Sequence, residues 1–151
     1  MAQQKRENYF ETNIRDVGEN FLRSRSAQDI QKDAKKRIFK DMIYGNIDYA
    51  VYGTYFQDPN FVDNLITVAH AESIKHTVEA NALWQYHIST GDAVALQLYT
   101  QHYNVSYILQ WIYYDLEMVK NTNYDISYLT AFTSQIGNIG QQGKKDYAEF
   151  Y

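Results

Sequence analysis

Apolar positions repeat at helical rather than strand spacing along most of the chain. Phe10, Ile14, Val17 and Phe21 fall at i, i+4, i+7 and i+11, one face of a helix over 6–23. Gly18 inside it costs about 1 kcal/mol relative to alanine and marks where it bends or frays. Ser26 with Asp29 opens a second helix. Its narrow stripe of Ala27, Ile30, Ala34, Ile38 and Met42 ends at Gly45-Asn46. Residues 47–56 are aromatic and β-branched, yet no second strand is available to pair with them, so a short helix is expected. Asp58-Pro59 is the clearest start signal, an N-cap followed by proline at the first helical position. The helix it opens runs from 59 to about 88. Phe61, Val62, Leu65, Ile66 and Ala69 lie on one side of it, and Ile74, Val78 and Ala82 on another. That drift predicts either a kink near residue 70 or different partners along the helix.

Gly91 stops this helix and Asp92 caps the next, over about 92–120. Val94, Leu98, Val105, Ile108, Ile112, Leu116 and Val119 form its aliphatic stripe. Tyr103, Tyr107, Trp111, Tyr114 and Met118 follow on nearly the opposite face, at intervals of 4, 4, 3 and 4. A helix apolar on two faces is buried on two faces. Either it is the central helix of the domain, or the aromatic stripe belongs to a subunit interface, where Tyr and Trp are enriched. Asn121-Thr122-Asn123 reads as a turn, and Asp125 caps a short helix over 126–136. Three glycines within 137–143 read as a flexible linker, followed by the aromatic end Tyr147, Phe150 and Tyr151. The expected fold is all-α: one domain over 1–136, a bundle of about five helices, with an extended docking tail over 137–151.

Length adds little to this plan, since 151 residues suit one domain. The absence of cysteine excludes disulfides and thiolate sites. No apolar run approaches the 18 or more residues of a membrane span, and the polar start MAQQKRENYF predicts no signal peptide. Charge changes the picture more. Residues 1–40 carry +4, residues 41–143 carry -8, and the last eight residues balance. Such a molecule has a basic end, fit for an acidic neighbour or for nucleic acid. The basic stretch holds Arg23, Arg25, Lys32, Lys36 and Lys40. It suits nonspecific phosphate contact, but no helix-turn-helix can be placed for base reading.

Candidate chemistry is sparse. Glu72, His76 and Glu79 share one side of a helix, whereas Lys75 stands where a Glu-x-x-His motif needs its histidine. A surface Glu–His pair explains that spacing better than a metal site, and His87 and His102 read as isolated. Asp115 and Glu117 face different ways. Neither a nucleophile elbow nor a phosphate-binding glycine loop is present. The expectation is therefore a non-enzymatic protein with no catalytic residue, cofactor or metal.

In layout, helices through about 136 and then the 137–151 tail, the chain resembles the head–tail connector, or head-completion, adaptor proteins of tailed bacteriophages. The resemblance covers the whole chain in outline and rests on no shared residue motif, so no functional residue is carried over. It implies a structural subunit of the virion, a homo-oligomeric ring docked on a portal or tail protein around the DNA path. In that scheme Tyr103, Tyr107, Trp111, Tyr114 and Met118 make inter-subunit contact. Tyr147, Phe150 and Tyr151 latch onto a partner, and the basic helix meets acidic protein or DNA. The alternatives are a nonspecific nucleic-acid-associated helical protein using Arg23–Lys40, and a helical carboxylate metalloenzyme at Glu72, His76 and Glu79.

Overall fold

Two long antiparallel helices organise the structure, and local chemistry sets their ends. The computed structural model describes residues 33–138 and 140–151, and Ala34–Tyr151 form one unit. Every regular element among the described residues is helical. In chain order these are α1 (Ile38–Tyr44), α2 (Tyr49–Tyr52), a 3-10 turn (Tyr55–Gln57), α3 (Pro59–Thr90) and α4 (Ala93–Asn121). Two further 3-10 turns follow, Ile126–Thr130 and Thr133–Asn138, and then α5 (Gly140–Phe150). The predicted helix over 6–23 lies outside the described residues.

Asp58 caps α3 by accepting from the Asn60 amide, with Pro59 at the first position. The two-residue turn between the long helices satisfies itself. Gly91 is left-handed at φ 71° and its N–H reaches the His87 carbonyl, while Asp92 accepts from the amides of Val94 and Ala95. The His87 ring bonds the Asp92 carbonyl across the same turn. At about 1.5 Å per residue, α3 is close to 48 Å long.

The core lies at the end of this hairpin away from the turn. There Phe61, Val62 and Leu65 of α3 meet Ile108, Ile112, Leu116 and Val119 of α4, all buried. Ile38, Phe39 and Met42 of α1, with Phe56 and Leu129, complete it. Halfway along, the buried residues become small and polar. Ser73 and Ser106 each donate to the other's carbonyl, and the Thr77 hydroxyl lies 2.6 Å from that of Ser106. α3 is one unbroken helix, so its drifting apolar face reflects a change of partners.

Three expectations are corrected. Residues 26–32 of the second predicted helix lie outside the described residues, 33–37 are turns rather than helix, and α1, from Ile38, has no side-chain cap. The segment 126–136 is not α-helical. The buried Asp115 carboxylate accepts from the amides of Phe132 and Thr133 at 2.5 and 3.3 Å, which takes both donors out of any helical ladder. The extended tail is instead α5, packed back on the same chain. Gly143, Asp146 and Tyr147 are buried, and Tyr147 is only 1% exposed.

Candidate functional site

Two regions hold the unusual chemistry, on opposite sides of the hairpin. The first docks α5. The Tyr147 hydroxyl donates to the Lys35 carbonyl at 2.7 Å, and Asp146 accepts from Asn104 and Gln142. Phe150 lies on His102 and against His76, with ring centroids 4.5 and 5.0 Å apart. Tyr151 donates to Glu72, which also pairs with Lys35 and Lys75.

Proton accounting orders the rest of this chain. Tyr151 has one hydroxyl proton, already spent on Glu72, so the His76 Nε2–H donates to its oxygen at 2.5 Å. A neutral His76 then presents a bare Nδ1, which accepts from the His102 Nδ1–H at 2.8 Å. The electrostatics agree with two neutral rings. Burial pushes His76 down to about 4, helped by the neighbouring His102, and burial also lowers His102. Burial alone would raise the Glu72 carboxyl, but the Tyr151 hydroxyl and the Lys35 and Lys75 ammoniums outweigh it and hold it low. Tyr151 itself is raised, by burial first and then by Glu72.

This geometry revises the sequence reading of the histidines. His76 is not half of a surface pair, because it is 2% exposed and both its ring nitrogens are engaged. Nor is His102 isolated. Glu72 and His76 meet at the Tyr151 hydroxyl, and among the described residues no group of three His, Asp or Glu side chains is placed to hold a metal ion. Tyr147, Phe150 and Tyr151 are spent on their own chain rather than free to latch a partner.

The second region is the turn end of the hairpin. No residue from 81 to 94 is buried, and from 81 to 104 only Ala95 is. Large apolar side chains nevertheless cluster there: Trp84, Tyr86, Ile88, Val94, Leu96, Leu98 and Tyr103 are all exposed. Val94 and Leu98, expected in the aliphatic core stripe, are among them because no described residue packs over them. At 100° per residue, Ile74, Val78, Trp84 and Ile88 share an arc of about 120° on α3. Leu96, Tyr99, Tyr103, Tyr107, Gln110 and Tyr114 share an arc of about 80° on α4. Both arcs look to the same side. Trp84 meets Tyr99 at 5.1 Å between ring centroids, and a groove of about 280 Å³ runs between Ile74, Thr77 and Val78 on α3 and Gln110, Tyr113 and Tyr114 on α4.

The predicted aromatic stripe is therefore divided. Tyr103 and Tyr114 are exposed, whereas Tyr107, Trp111 and Met118 are half-covered. Trp111 stacks on Phe132 at 5.7 Å and 20°, so the 3-10 segment covers the stripe at its core end. Of the basic residues, Arg23, Arg25 and Lys32 lie outside the described residues, Lys36 is exposed and Lys40 half-buried.

Sequence reasoning passed over one signal. Residues 80–114 contain a single charged side chain, Asp92, in a chain that is 21% charged, and Asp92 is consumed as a helix cap. Exposed helices ordinarily carry charge on their solvent face. Among the described residues no helix is long and apolar enough to cross a membrane. No protein-family model, curated protein or solved structure matches this chain.

Proposed function

We propose that the protein is a non-enzymatic structural subunit that assembles with further copies of itself through the turn end of the α3–α4 hairpin. The observation that carries this reading is the exposed, aromatic-rich face of 80–114, a stretch whose single charged side chain, Asp92, is consumed as a helix cap. Depletion of charge together with enrichment in Tyr and Trp is the compositional mark of an interface core. The polar chemistry on the other side of the hairpin is engaged in holding α5 to its own chain. Gly140–Phe150 is a packed helix rather than an extended tail, which leaves the connector layout without its docking arm.

Light scattering coupled to size-exclusion chromatography, over a concentration series at low and high salt, tests it. The expected result is a mass above the 17.7 kDa monomer that survives high salt, because the contact is apolar. A monomer at every concentration overturns the reading. An oligomer that dissolves in salt transfers the contact to the charge asymmetry and the Arg23–Lys40 stretch.

A further inference from the structure

We infer that the charge-free face of the hairpin pairs with the same face of a second copy across a two-fold axis, closing a four-helix bundle. This rests on the self-assembly reading and names its geometry. Three observations favour a copy of the chain over a different protein. The first is extent. Ile74, Val78, Trp84, Ile88, Tyr103 and Tyr114 are between 39 and 61% exposed. At roughly 150–250 Å² per large side chain they leave about 600 Å² of mostly apolar surface open to water. That is at the top of the range for the largest patch on an ordinary monomer, and near the ~800 Å² per partner of a stable interface once the surrounding polar atoms are counted.

The second is chemical self-complementarity. A two-fold contact sets residue i against j and j against i, so every group on the face meets another group of the same face. A charged face repels itself there, whereas an amide both donates and accepts. Among the polar residues on this face are the amides Asn81, Gln85 and Gln110, each able to bond its own kind. An oppositely charged partner would find nothing here to recognise. The third is register. Ile74, Val78, Asn81, Gln85 and Ile88 follow intervals of 4, 3, 4 and 3, the spacing of a helix that packs along a partner helix, with polar positions inside the seam. The face is flanked by two helices already antiparallel, so two hairpins complete an ordinary four-helix arrangement.

The test uses the full chain. Val78→Glu places like charges in the seam, and Val78 is 61% exposed, so the substitution leaves the monomer's core untouched. Gln97→Glu adds the same charge at an exposed position of α4 outside the face and serves as control. Sedimentation equilibrium should give a wild-type dimer, a dimer for Gln97→Glu, and association weakened by about tenfold or more for Val78→Glu. Circular dichroism should show unchanged helicity in all three. A wild-type oligomer that Val78→Glu leaves intact, or one with an odd number of subunits, overturns the two-fold pairing while self-assembly stands. A wild-type monomer at all concentrations overturns both.

Discussion

The two ends of the α3–α4 hairpin are made from the same helices and differ in nearly every other respect. At the core end α3 and α4 bury Phe61, Leu65, Ile112 and Leu116 against α1 and the 3-10 segment. At the turn end the same helices show Trp84, Ile88, Val94 and Tyr103 to water and bury only Ala95. Helical stability comes mostly from packing an apolar face, not from propensity. The turn end therefore depends on its caps at Gly91 and Asp92 and on continuity with the packed end. Apolar content is similar at both ends, and what separates them is whether the surface has been covered within the chain.

The sharpest way to break the comparison is truncation at matched sites. Leu116→Ala at the core end should cost about 2–5 kcal/mol of stability, since it opens a cavity in a fully buried site. Ile88→Ala at the turn end should stay within about 0.5 kcal/mol for the monomer. Denaturant titration of dilute protein measures both, and equal losses would mean the turn end is packed after all. Asp115→Ala comes next. It strands the amides of Phe132 and Thr133 and frees Phe132 from Trp111, for an expected loss of about 2–3 kcal/mol in the same assay.

Acidity probes the covered end in two opposite directions. His76 is held down to about 4, so between there and 6.5 the unfolded chain takes up a proton that the folded chain refuses, and this contribution falls as pH falls. Burial pushes Asp115 up to about 7, against the pull of the Phe132 and Thr133 amides. The folded chain therefore protonates Asp115 first, and its contribution grows as pH falls from about 7 towards 3.8. The wild-type melting temperature should vary little across the shared window. His76→Gln should gain stability on acidification and Asp115→Asn should lose it. Parallel melting profiles for the two variants would contradict these assignments. The smallest effect is expected at the exposed Lys120–Asp63 pair, 3.0 Å apart, where Lys120→Ala should leave the melting temperature unchanged within error.

What the sequence disclosed was local. Asp58-Pro59, Gly91 and Asp92 act within a few positions of themselves, and each stands where its chemistry indicated. The all-α class followed from the same spacing. The miss at α5 has a physical cause. Three glycines in 137–143 read as a linker, yet only Gly143 lies in the interior of α5, where it costs about 1 kcal/mol, and what offsets it is distant: the Lys35 carbonyl, Asn104 and the ring of His102. His76 and His102 are 26 positions apart on different helices, so their pairing is invisible to periodicity. The turn end was legible in principle. A charge census over 80–114, rather than a search for motifs, singles it out.

The order in which these contacts can form follows from their separation along the chain. The hairpin closes over a two-residue turn, whereas the Tyr147 bond to Lys35 spans 112 positions. Local contacts form quickly and long-range closure is slow. A chain emerging from synthesis thus builds its sticky hairpin early, while α5, encoded later, is still unavailable to dock. Completion of the fold then waits on α5, and the contacts of Tyr147 and Tyr151 should lag the hairpin during refolding.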